Sequence, residues 1–232
     1  MSASLVKKEI LKKADPAKAL LLAGYFKTGK GQYGEGDKFL GLTVPVQRLI
    51  AKKFPGLELK EIGKLLSDPY HEVRLTALII LVSIFKKADE KGKKEIVSFY
   101  LSHTKNINNW DLVDLSARDI IGAYYYEKNR APLFKLAASN NLWERRIAII
   151  STFYFIARKD FKDSLRLAKM LLKDEHDLIH KALGWMLREI GKKDKDTLVS
   201  FLEKNVTKMP RTMLRYSIER FPEAERRRFL RA

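Results

Sequence analysis

The chain contains no cysteine. That removes a disulfide framework and any thiolate metal site. Histidine is scarce, with 4 in 232 residues. His176-Asp177-Leu178-Ile179-His180 has the spacing of a zinc-protease helix, but aspartate stands where that chemistry needs glutamate as the base. Neither a metal nor a cofactor is expected. Long apolar runs are also missing. The longest, residues 75–85, is broken by Thr76 and Ser83 and falls short of the ~20 residues of a membrane span. The N-terminus, Met1-Ser2-Ala3-Ser4-Leu5-Val6-Lys7-Lys8-Glu9, lacks the apolar run of a signal peptide. No stretch alternates with period two between hairpin turns, so strands are not expected. These absences predict a soluble protein of the cytoplasm with no membrane association.

Acidic residues are in deficit as well. Lys and Arg total 46 against 28 Asp and Glu, for a formal net charge of +18 and a pI near 9.9. Such an excess implies an anionic partner, with nucleic acid ahead of an acidic membrane surface. The composition otherwise suits a core of normal size, with 46% hydrophobic residues. A single domain over 1–232 is expected.

What remains is helix after helix. Asp15-Pro16 reads as an N-cap followed by proline in the first turn, and Thr43-Val44-Pro45 and Ser67-Asp68-Pro69 can open helices in the same way. The pattern predicts helices over 2–14, 16–26, 44–54, 58–67, 69–87, 90–103, 109–126, 130–139, 142–158, 161–173, 177–191, 196–205, 210–220 and 223–231. Three segments share charge, a small residue and then an apolar run: 72–78, 144–149 and 179–185. With Arg74, Arg145 and His180 in register they lie 71 and 35 residues apart, so a further repeat is expected near residue 109. A period near 35 with two helices per unit predicts an all-α fold, an α-solenoid of HEAT-like repeats with a curved, concave surface.

Residues 27–41 interrupt the pattern. With Gly24, this region holds half of the 12 glycines, interspersed with Lys and Tyr. The ending Gly-Lys-Ser/Thr of a Walker loop is absent. A flexible connector and a loop that grips a phosphate backbone both fit. Tyr124-Tyr125-Tyr126 reads as packing, and the arginine-rich C-terminus (Arg211, Arg215, Arg220, Arg226, Arg227, Arg228, Arg231) as either phosphate donors or a solvated tail.

In Asn109-Trp110-Asp111-Leu112-Val113-Asp114, Trp110 and Asp114 are four apart and share a helix face. The repeat register brings Trp143, Arg145, Arg146, Lys181 and Trp185 to the same phase, so one surface is expected to carry three tryptophans, a carboxylate and several cations. Asp111 is one step along from Trp110, about 100° around the helix, and is expected to be dispensable for chemistry.

At these residues the chain resembles the DNA alkylation repair family of HEAT-like-repeat DNA glycosylases, the AlkD-like proteins. The resemblance covers nearly the whole chain. It is carried by Tyr25-Phe26-Lys27, Phe39-Leu40-Gly41 with Val44-Pro45, Trp110-Asp111-Leu112-Val113-Asp114, Asn141-Leu142-Trp143-Glu144-Arg145-Arg146 and Lys181-Ala182-Leu183-Gly184-Trp185-Met186-Leu187-Arg188-Glu189. It departs from the family at Asn109, where an aromatic often stands, and in a longer glycine-rich loop. The resemblance implies hydrolysis of the N-glycosidic bond of N3- and N7-alkylated purines in double-stranded DNA, without full base flipping. It implies Asp114 as the catalytic carboxylate, Trp110 and Trp185 flanking the deoxyribose, Arg146 on a phosphate and Tyr25 on the damaged strand. Lys27, Arg145, Lys181, Arg188 and Arg211 complete the expected DNA contacts, and a monomer is expected.

The chemistry suits those residues. An alkylated purine already carries positive charge and leaves without a general acid. As the bond breaks, positive charge grows on the sugar, and a fixed carboxylate stabilises it. Two indole faces add cation–π attraction of about 0.5–2 kcal/mol. No lysine is placed as a Schiff-base nucleophile, so hydrolysis without strand cleavage is expected. A non-catalytic helical-repeat scaffold for DNA, RNA or protein would keep the basic surface and give Asp114 no special task.

Overall fold

The computed structural model describes residues 1–231, and among these there is no strand, only an isolated bridge between Lys38 and Tyr70. Two compact units are found, Met1–Ile120 and the chain from Ile121 onward.

The first unit holds α1 (Ala3–Leu11), α2 (Pro16–Tyr25), α3 (Val44–Ala51), α4 (Leu59–Leu66), α5 (His71–Phe85), α6 (Glu90–Ser102) and the short α7 (Trp110–Asp114). Side-chain caps open several of them: Ser2 accepts from Leu5 N, Asp15 from Lys18 N and Asp89 from Gly92 N. Helix α5 is the centre, touching α1, α3, α4, α6 and α7. It is buried nearly all round, which explains the apolar run from residue 75. Each fully buried Leu or Ile there contributes about 1.5–3 kcal/mol.

The second unit holds α8 (Ala123–Tyr125), α9 (Ala131–Ala137), α10 (Leu142–Ser151), α11 (Phe153–Ile156), α12 (Lys162–Met170), α13 (Asp177–Lys193), α14 (Lys195–Asn205), α15 (Arg211–Ser217) and α16 (Glu223–Arg231). Helix α13 is its hub, packed on α10, α11, α12, α14 and α15. The α13–α15 approach depends on Gly184, where a Cβ would lie 2.6 Å from the Met213 carbonyl oxygen. No helix among the described residues is long and apolar enough to cross a membrane.

The predicted helices are present, with two breaks and one shift. The stretch 109–126 is α7, a turn, a π-helical segment Arg118–Gly122 and α8. Ser116 Oγ donates to the Leu112 carbonyl at 2.5 Å, a side-chain bond that competes with the helical ladder. The stretch 142–158 is split between α10 and α11 by Ser151 and Thr152, whose hydroxyls donate to the Ile147 and Ile149 carbonyls. Helix α5 starts at His71, two residues later than Pro69, because Asp68 Oδ1 accepts from Tyr70 N and closes a turn first.

That turn recurs. Asp68, Ser139 and Asp174 each accept, through the side chain, from the amide two residues on. Each also offers its own carbonyl to the side chain six residues on: Arg74, Arg145 and His180. The three residues aligned in sequence therefore do one structural job. The missing repeat is α7. Helices α5, α7, α10 and α13 begin at residues 71, 110, 142 and 177, steps of 39, 32 and 35. The long step accommodates the 3-10 turn Thr104–Asn106. Helix α7 lacks the closing turn and is capped by Asn109, whose side chain accepts from Trp110 N at 2.8 Å.

Candidate functional site

Trp110 opens α7 and Asp114 closes it, so the two lie one turn apart on a partly exposed face. The Trp110 indole stacks on Phe26, with ring centres 5.1 Å apart and planes 17° from parallel. Tyr25 meets it edge-on at 5.9 Å and is 63% exposed. Lys27 follows in the left-handed region at φ 56° and is exposed. Tyr25, Lys27, Trp110 and Asp114 thus belong to the same unit, and Tyr25 and Trp110 are in contact.

The C-terminal end of the glycine-rich loop, from Asp37 onward, is held by long-range contacts. Glu72, 1% exposed, accepts from the amides of Leu40, Gly41 and Leu42. Gly41, at φ +88°, lies so close to the Asp15 carbonyl that a Cβ would approach it to 2.2 Å. His71 N donates to the Lys38 carbonyl at 2.8 Å. Asp37 accepts from Arg74 Nη2 at 2.6 Å, His71 Nδ1 at 3.1 Å and Asn109 Nδ2 at 3.3 Å.

Asp111 faces away from the Trp110–Asp114 side and is buried, its Oδ2 accepting from His71 Nε2 at 2.8 Å. It is structurally engaged and not spare. A carboxylate on each ring nitrogen favours the imidazolium form of His71. Burial works against that charge, but Asp111 and Asp37 outweigh it and raise the pKa to about 9. Burial likewise pushes Asp37 up, and the hydrogen bond from His71 and the charge of Arg74 bring it below its ordinary value. A charged His71 ring between two carboxylates stabilises the folded state. Its contribution to stability is complete below the unfolded pKa of about 6.5 and is lost as pH rises through about 9. Denaturant midpoints should therefore fall between neutral and alkaline pH in the wild type and fall less in His71→Gln. Parallel profiles for the two proteins would contradict the charged ring.

Sequence reasoning missed His71, Asp37, Arg74 and Glu72 as a set. The available signal was three charged or titratable residues at 71–74 opening a helix that is otherwise apolar, since such groups are buried only when partnered.

In the second unit, Trp185 is partly exposed, donates Nε1 to Glu189 Oε1 at 3.2 Å and meets Phe153 edge-on at 5.5 Å. Trp143 differs from expectation: it is 8% exposed and belongs to the core. Arg146 is 5% exposed, with Nη1 donating to the Leu178 carbonyl at 2.7 Å. Arg145 is bound by Asp174 at 2.7 Å and by the Ser139 and Asn140 carbonyls. Lys181 pairs with Asp177, Arg188 with Glu219, and Arg211 donates to the Leu230 carbonyl. Counted from their helix starts, Asp114, Arg146 and Lys181 are the fifth residues of α7, α10 and α13. His176 caps α13 by accepting from Leu178 N, and His180 donates to the Asp174 carbonyl. No metal-binding group of His, Asp and Glu occurs among the described residues.

The helical repeats give an all-α chain, and comparison with known proteins identifies its class. A family model described as "DNA alkylation repair enzyme" matches residues 6–221. The chain belongs to the DNA alkylation repair enzyme family. Solved structures share its fold. A predicted DNA alkylation repair enzyme from Enterococcus faecalis superposes with TM-score 0.71 at 16% identity, covering 90% of this chain and 97% of that one. AlkD2 from Streptococcus mutans gives 0.57 at 19%, covering 90% and 99%. The protein smu.31 from Streptococcus mutans UA159 gives 0.54 at 20%, covering 95% and 97%. Comparison with curated proteins gives no match.

Proposed function

We propose that this protein is a monofunctional glycosylase that releases N3- and N7-alkylated purines from duplex DNA by hydrolysing the N-glycosidic bond. The observation that carries the reading is Asp114, a partly exposed carboxylate one helical turn from a stacked indole, on a chain of net charge +18 in a DNA alkylation repair family. Asp114 stabilises the positive charge that grows on the sugar and orients the attacking water. Trp110, fixed by Phe26 and Tyr25, presents a π-face to the same charge. Trp185, partly exposed in its own unit, is proposed as an aromatic contact to the DNA. Tyr25, Lys27 and Arg211 are proposed contacts to the DNA strand, as is Arg146 through the small part of it, 5%, that stays exposed, with Arg145, Lys181 and Arg188 contributing charge from within their ion pairs.

The test is product analysis on methylated duplex. Strands should stay intact until treated with alkali, which breaks them at abasic sites. Strand breaks without alkali would contradict monofunctional hydrolysis. Arg146→Ala should weaken duplex binding and lower the slope of log affinity against log salt by about 0.9, one phosphate contact. An unchanged slope would remove Arg146 from the phosphate contacts.

A further inference from the structure

We propose that His71 is a positioning residue for the Trp110–Asp114 pair: by bridging Asp37 and Asp111 it clamps the glycine-rich loop to α5 and α7 and sets the plane of the Trp110 indole. Its catalytic consequence rests on the glycosylase reading; the clamp itself does not.

Both sequence neighbours of Trp110 are anchored in this network. Asn109, which caps α7, donates to Asp37, and Asp111 accepts from His71. The indole sits between these two anchors. Its ring face is held from the same source. Phe26 stacks on Trp110 at 5.1 Å and on Phe39 at 5.0 Å, Phe39 stacks on His71 at 4.7 Å, and His71 also meets Phe26 at 4.9 Å. His71 therefore touches both the backbone anchor of Trp110, through Asp111, and its stacking partner.

Charge makes the clamp depend on the ring proton. The groups facing His71 are Asp37 from the loop, Asp111 from α7 and Arg74 from α5, while Phe26 and Phe39 cover the ring. With His71 protonated, two carboxylates meet two cations. Without the proton, a net negative charge stays buried, and the bridge between the two aspartates loses one of its two N–H donors. Asp111 is the weak point of the clamp, because its Oδ1 is buried with no hydrogen-bond partner among the described residues.

The experiment follows the histidine ring nitrogens and the tryptophan indole N–H signals of the full chain by NMR as pH rises, assigned with His71→Gln and Trp110→Phe. The His71 ring should titrate near pH 9 and the Trp110 signal should shift with the same midpoint, while Trp185 does not follow. A Trp110 signal that stays flat through the His71 titration, or a His71 ring already neutral at pH 7, would overturn the proposal. In single turnover, His71→Gln should slow base release roughly ten- to a hundredfold by misplacing the ring, with affinity for undamaged duplex unchanged. Should His71→Gln not fold, Asp111→Asn keeps the shape and removes one charge, and both midpoints should drop together; midpoints that separate would sink the clamp. If Trp110 follows His71 but the wild type releases no base, the glycosylase reading fails and the clamp stands. If base is released and Trp110 ignores His71, the clamp alone fails.

Discussion

Replacing Asp114 by asparagine is expected to slow base release by roughly 10²–10³-fold, about 3–4 kcal/mol of transition-state stabilisation, the scale seen when one preorganised electrostatic partner is removed. The substitution keeps shape and removes charge. Helix α7 should survive it, since its cap comes from Asn109 and its buried residues are Asp111, Leu112 and Val113. Affinity for undamaged duplex should be preserved or slightly raised, because one negative charge is lost from a DNA-binding protein. Single-turnover rates and binding isotherms on the same preparations separate these effects. Equal losses of rate and affinity would mean that Asp114 serves binding or folding and not the bond-breaking step.

The second large effect concerns the fold beneath the site. Glu72→Ala should destabilise the protein by several kcal/mol. One buried carboxylate accepts from three consecutive loop amides, at 3.0 Å from Leu40, 2.7 Å from Gly41 and 3.2 Å from Leu42. Each amide left buried without a partner costs about 1–3 kcal/mol. The damage should begin in the loop, so amide exchange at residues 40–42 should accelerate before that of α5. Glu72→Gln should cost less, because an amide oxygen can still accept. A urea midpoint for Glu72→Ala equal to that of the wild type would show that the three contacts contribute nothing net.

Much of this was legible in the sequence because it rests on local rules. Asp15 before Pro16 did cap α2, and the segments around Arg74, Arg145 and His180 do repeat, down to the same hydrogen bond six residues back. The four-residue spacing of Trp110 and Asp114 did place them on one helix. The breaks after Asp114 and Ser151 were harder to read, since they turn on which serine or threonine hydroxyl bonds to its own backbone. Trp143 shares its sequence phase with Trp110 and Trp185, yet phase does not fix whether an indole is covered by neighbours distant in the chain. The network of Asp37, His71, Arg74 and Asp111 spans 74 residues of separation and exists only through long-range packing. Residue by residue, nothing in the glycine-rich loop announces that Asp37 is its anchor.

The most direct measurement is chromatographic detection of free base from methylated duplex DNA, wild type against Asp114→Asn at equal DNA occupancy. The account predicts that the wild type releases 7-methylguanine and 3-methyladenine and that Asp114→Asn releases almost none while still binding. Equal release by both proteins, or none by the wild type while the DNA is fully bound, would contradict it.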